Sequence, residues 1–273
     1  MRDLDDPRPA GRADQGTSCG CRVNVRRSYF AHPKDGPLPA LLVVLTVLTG
    51  VIDAVSILGL GRVFVANMTG NVVFVGFSLA GAAGFSMSAA IFGLGGFVEG
   101  ALLAGVAITR YGKRRGALFR AAVLSQLGLL GIAFGVAAIA GAPYGGAARN
   151  AIAAICALAM GAQNAVVARL AVPGLTTTVL TRTLTGIAVG LRGAARRPAV
   201  ARRLLALFAM LVGAVIGALV VLHVSPTAAL GLATGLLAVV ACAVLAATRR
   251  PSAWQLVSPS GRDSGFLLAG SAR

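Results

Sequence analysis

Asp53 stands in the middle of the first long apolar segment, residues 38–60, with Thr49-Gly50 just before it and Ser56 just after. A charged side chain at bilayer depth costs about 3 kcal/mol or more, so such a residue marks a site with a task. The chemistry open to a lone carboxyl there is a proton- or cation-responsive centre, or an acceptor for a hydrogen bond from a solute. The bland alternative is a structural acid: Thr49 at i−4 and Ser56 at i+3 share its helix face and are placed to satisfy it locally.

Four further groups carry polar chemistry in apolar surroundings. Asn67-Met68-Thr69-Gly70-Asn71 puts two amides, a hydroxyl and a glycine inside an apolar segment. That composition suits an unwound turn lining a cavity at membrane depth, or an ordinary interfacial loop. Gln163 and Asn164 form a matching group in the second half, placed to face Asp53 or simply to hold helices together through hydrogen bonds worth about 0.6–2 kcal/mol. Glu99, inside Gly96-Phe97-Val98-Glu99-Gly100, is the only other acid between Pro37 and Arg249. It reads as a second protonatable site or as the partner of an arginine on a neighbouring helix. Thr176, Thr177, Thr178, Thr181, Thr183 and Thr185 could line a polar path or satisfy their own backbone. Arg182 in that run faces a cavity or pairs with Asp53 or Glu99. Arg169 reads as an interfacial side chain that snorkels.

Other chemistries find no support. The chain has no P-loop, no His-Glu-x-x-His and no Gly-x-Ser-x-Gly, so neither a nucleotide-driven pump nor an enzyme is expected. No cofactor and no metal site is expected either. Cys156 and Cys242 sit in apolar helices as small core residues, and Cys19-Gly20-Cys21 has no second ligand pair nearby. The net charge of +17 is spread over short loops and tails, forming no single face for nucleic acid. Positive loops beside membrane spans mark the cytoplasmic side, with anionic lipid headgroups as their partners.

The elements that must position these residues are membrane helices. With 57% hydrophobic and only 12% charged residues, a soluble core does not compete. Eight apolar segments can be drawn: 38–60, 63–82, 86–109, 119–141, 149–170, 175–191, 204–223 and 227–247. Basic clusters at Arg110–Arg120 and Arg192–Arg203 decide which of them cross. Both clusters and both termini fall on the cytoplasmic side only if 63–82 and 175–191 are re-entrant or broken. The expected fold is therefore an all-α polytopic membrane bundle with about six crossings. Residues 1–36 read as a disordered basic cytoplasmic tail, 37–248 as the membrane domain and 249–273 as a flexible tail. Nothing in 1–36 has the apolar core of a signal peptide.

An internal repeat, 38–141 against 149–247, is indicated by Gly50 three residues before Asp53-Ala54 and Gly161 three before Asn164-Ala165. Three crossings per half make the halves inverted, a recurrent transporter plan with its site at the midplane. The pairs Gly96/Gly100, Gly131/Gly135, Gly186/Gly190, Gly213/Gly217 and Gly231/Gly235 read as helix-packing faces that also permit a homo-oligomer.

Thr49-Gly50, Asp53-Ala54, Gly59, Phe64, Asn67–Asn71 and Gly76 resemble the signature of the YoaK-like bacterial membrane proteins, domain of unknown function 1275. A second stretch, Met160-Gly161-Ala162-Gln163-Asn164-Ala165 followed by Val172-Pro173-Gly174-Leu175, is similar to its later motif. The chain departs from that pattern at Thr181-Arg182, where the family has Thr-Gly. The resemblance covers about 40–250 and implies a multi-pass protein of the bacterial cytoplasmic membrane with about six helices, without an activity. The residues themselves favour a small-solute or proton transporter or facilitator centred on Asp53, Thr49, Gly50, Asn67, Thr69, Gly70, Asn71, Gln163, Asn164 and Glu99. The competing reading is a non-transporting scaffold, assembly or regulatory protein.

Overall fold

The computed structural model describes residues 36–111, 114–170 and 197–249. Among them lie seven helices and no strand: α1 (Leu38–Gly59), α2 (Met68–Leu79), α3 (Met87–Tyr111), α4 (Arg115–Ala140), α5 (Gly146–Leu170), α6 (Arg197–His223) and α7 (Pro226–Thr248). All but α2 are long and apolar enough to cross a bilayer. The 12 residues of α2 span only about 18 Å, so segment 63–82 does not cross, as expected. The other non-crossing candidate, 175–191, lies outside the described residues, as do the tails 1–35 and 250–273.

Local chemistry sets the ends. Proline occupies the first turn of α1 and of α7, where its missing N–H costs nothing. Ser225 Oγ caps α7 by accepting from the Ala228 N–H at 3.0 Å. After α1 the chain turns through Gly61 and Arg62, at φ 82° and 58°. Three boundaries differ from the sequence reading. α4 begins at Arg115, α5 at Gly146 and α6 at Arg197, several residues earlier than the apolar runs 119–141, 149–170 and 204–223. At α4 and α6 arginines mark the edge of the apolar run, yet the backbone is helical through them, because a long basic side chain can snorkel without breaking a helix.

Residue contacts fix the direction of every crossing. Gly59 meets Pro226, and Gly61 meets Arg149, so α1 ends where α7 and α5 begin. Arg115 Nη2 donates to the Leu170 carbonyl, so α4 begins where α5 ends. In α3 and α5, Gly96 meets Ala154 and Gly100 meets Leu158, so these two run parallel. The same holds for α1 and α6, where Val47 meets Gly213 and Val51 meets Gly217. Hence α1, α4 and α6 run one way and α3, α5 and α7 the other. The first half reads up, down, up and the second down, up, down: an inverted repeat, with α1, α3 and α4 matched to α5, α6 and α7.

The repeat is visible in its two tightest crossings. A side chain at Gly50 would run into the Met210 carbonyl oxygen, and one at Gly213 into that of Val47. Across the pseudo-twofold, Gly161 lies against the Phe97 carbonyl and Gly100 against that of Leu158. Each half thus lends its first helix to the second helix of the other, and the α1–α6 and α3–α5 interfaces are the most extensive among the described helices. In lipid, such close backbone approach supplies the van der Waals contact that holds helices together.

The start of α1 shares one end of the bundle with Arg110, Arg114, Arg115, Arg120, Arg169, Arg202, Arg203 and Arg249. The opposite end carries Arg62, stacked over the Phe85 ring at 5.5 Å, and Arg149, packed beside Gly61.

Candidate functional site

One face of α1 presents Thr46, Thr49, Asp53 and Ser56, all buried. Their 3-4-3 spacing lays a polar stripe down a single side of the helix. The three hydroxyls are committed elsewhere. Thr46 donates to the Leu42 carbonyl at 2.8 Å, Thr49 to Leu45 at 2.9 Å and Ser56 to the backbone carbonyl of Asp53 at 2.9 Å. They satisfy the helix backbone, and so the local partnership that their spacing suggested for the Asp53 carboxyl is not formed. Asp53 is 9% exposed. Its Oδ1 has no hydrogen-bond partner among the described residues. Gly50, one turn earlier, draws α6 against α1 at the same depth.

Thr49 opens a polar chain across the bundle. Gln163 Nε2 on α5 donates to Thr49 Oγ1 at 3.4 Å, and Gln126 Nε2 on α4 donates to Gln163 Oε1 at 2.6 Å. Gln126 also lies 3.8 Å from the Met160 sulfur. Three helices are tied at the core in this way. Sequence reasoning found Thr49 and Gln163 and missed Gln126, though a lone amide inside the apolar run 119–141 was the signal for it. Gln126→Leu would leave the buried Gln163 Oε1 unpaired. We expect a loss of about 1 kcal/mol, read as a lowered unfolding midpoint in detergent; an unchanged midpoint would show the link to be idle. Asn164 is part-buried on the next position of α5.

The stretch Asn67–Asn71 does different work from a cavity turn. It starts α2, with Asn67 preceding the first helical residue. Asn67 and Thr69 are exposed, whereas Asn71 is fully buried. Asn71 Oδ1 accepts from the Phe64 N–H at 2.8 Å, and its Nδ2 donates to the Phe64 carbonyl at 2.6 Å. A side chain at Gly70 would strike the Phe64 ring. The motif is a staple that fastens the α1–α2 turn onto α2. Asn71→Ala would orphan both backbone groups of Phe64, at about 1–3 kcal/mol each. Selective proteolysis or hydrogen exchange at 60–67 should detect this loosening, and unchanged protection there would contradict it.

Glu99 is not brought to Asp53. It is exposed on the outer face of α3. The threonine run and Arg182 lie outside the described residues. Cys156 is buried and Cys242 exposed, both as free thiols; Cys19 and Cys21 are not among the described residues. No group of three metal-ligating side chains occurs among the described residues.

The sequence profile of a family described as "Protein of unknown function (DUF1275)" matches residues 41–243. The chain belongs to the DUF1275 family. The match reaches into all six long apolar helices and takes in the Asp53 stripe and the Asn71 staple. Among curated proteins, the chain is similar to the UPF0700 transmembrane protein YoaK of Bacillus subtilis (strain 168). The two are 29% identical over 153 residues, which are 56% of this chain and 67% of that protein. No solved structure matches the chain. This DUF1275 protein is thus a multi-pass membrane protein, as the resemblance read from its motifs implied.

Proposed function

We propose that this protein is a secondary transporter or facilitator for a small solute, with Asp53 as its proton- or cation-responsive group. The carrying observation is the Asp53 carboxyl oxygen, buried and without a hydrogen-bond partner among the described residues, one turn from a glycine crossing in an inverted repeat. A buried polar atom left unsatisfied costs about 1–3 kcal/mol. Such a group is kept where a ligand or a proton completes it. Inverted repeats place solute sites near the midplane, and rocking one half against the other exposes the site to each side in turn. Gly50 lets α1 lie on α6 without side chains between them, which suits such rocking. Thr49 on the same face of α1, with Gln163 hydrogen-bonded to it, supplies neighbouring polar groups. Positive-inside bias assigns the arginine-rich end and both termini to the cytoplasm of a bacterial cell, with anionic headgroups against those arginines.

A second reading, a non-transporting scaffold or assembly protein, draws on the Gln126–Gln163–Thr49 chain and the Asn71 staple, both of which hold structure. Flux measurements decide between the two. Purified protein in liposomes is challenged with gradients of protons, monovalent cations and a broad solute panel. Protein-dependent flux of any of these supports the transporter; silence across the panel supports the scaffold.

A further inference from the structure

The outer face of α3 carries a feature that the Asp53 site does not use. Phe92, Gly95, Glu99, Leu102 and Val106 recur at 3-4-3-4 spacing along this helix, and every one is exposed. Phe92 is 51% exposed, and Leu102 and Val106 are each 67% exposed. This is the spacing of an a/d seam along one helix face. Gly95 has nothing within 4 Å of the position a side chain would take, so the seam is open for a close neighbour. On the opposite face, Gly96 and Gly100 pack α3 onto α5, so the seam points away from the bundle.

Glu99 lies at the midpoint of α3, Met87–Tyr111. In a spanning helix this is the depth at which an acid facing hydrocarbon is most costly. No described residue bonds its carboxyl. A neighbour that covers the seam must therefore bring a hydrogen-bonding group to the bilayer centre.

We propose that the seam is the dimer interface of this protein, with Glu99 of one copy against Glu99 of the other. Copies inserted the same way place Glu99 at one common depth, so a twofold axis along the membrane normal brings the two carboxyls together. A pair of carboxyl groups sharing protons satisfies both, because each offers a donor and an acceptor. No other acid, and no lysine or arginine, stands at that depth on the outer surface among the described residues. A single polar position in an apolar seam also fixes register. This proposal does not rest on Asp53 or on transport.

The test uses full-length fluorescent protein in liposomes, with photobleaching steps counted over a range of protein-to-lipid ratios. Wild type should bleach in two steps at high density. Glu99→Gln should match it, because paired amides exchange the same bonds. Glu99→Leu and Gly95→Ile should each weaken association about tenfold, equivalent to about 1.4 kcal/mol. Neither touches the folded core, so both should remain monodisperse. In a chain without its four native cysteines, Leu102→Cys should cross-link two copies through a short reagent, while Leu124→Cys on α4 should not. Single-step bleaching of wild type at every density would overturn the proposal. So would Glu99→Leu associating as tightly as wild type, or Leu124→Cys cross-linking as readily as Leu102→Cys.

Discussion

Gly161→Val is expected to leave no folded bundle. The glycine lies where α5 crosses α3, and a side chain there would occupy the place of the Phe97 carbonyl oxygen. That atom belongs to helix backbone, so it cannot move aside as a side-chain tip would. Relief requires the two helices to separate, and their interface is one of the two most extensive among the described helices. Overpacking costs about 1–3 kcal/mol even where side chains can shift, and a backbone clash should exceed that range. The readout is a lost monodisperse peak in detergent and a collapsed thermal transition. Gly135→Val, on the open face of α4 with nothing within 4 Å, should behave as wild type. If Gly161→Val folded equally well, the crossing would not be the contact that holds the halves together.

The second large effect concerns Asp53 and has two parts of opposite sign. Asp53→Leu removes a buried polar atom that has no partner among the described residues. Relieving that penalty should leave stability unchanged or raise it by about 1–3 kcal/mol. The same change removes the only acid in α1, so gradient-driven flux should fall at least tenfold. Asp53→Asn keeps shape and hydrogen-bonding capacity but cannot ionise; it should fold like wild type and lose its response to the driving gradient. A gain of stability with loss of activity is expected where a residue is kept for function at the expense of the fold. If both variants failed to fold, the carboxyl would be structural. If both folded and kept full flux, Asp53 would have no part in the mechanism.

Much of this was legible in the sequence. Uninterrupted apolar runs gave the six long helices, and the distribution of arginines showed that segment 63–82 does not cross. Gly50 and Gly161, each three residues before a polar residue, announced the repeat. The pairing of its helices was harder to see. The basic loop follows α3 in the first half but precedes α6 in the second, so charge was a misleading guide to which helices correspond. An inverted repeat exchanges the two membrane faces, whereas the arginines keep to one. The site was legible by residue type but not by partner. Thr49 and Ser56 share a face with Asp53, yet in a helix their hydroxyls reach the preceding carbonyls first. Asn71 looked like a lining residue because amides in apolar segments suggest a ligand, and only the folded turn shows that Phe64 takes both ends of it. The outward turn of Glu99 was hidden, since almost every face of α3 is apolar.

The inverted architecture also bears on how the chain enters a bilayer. Two halves related by a half-turn in the membrane plane offer each leaflet the same pair of helix crossings. Helix packing would be equally content upside down. The decision falls to the arginines gathered at one end, which outweigh Arg62 and Arg149 at the other. The core determines what is built, and a few loop charges determine which way up it stands.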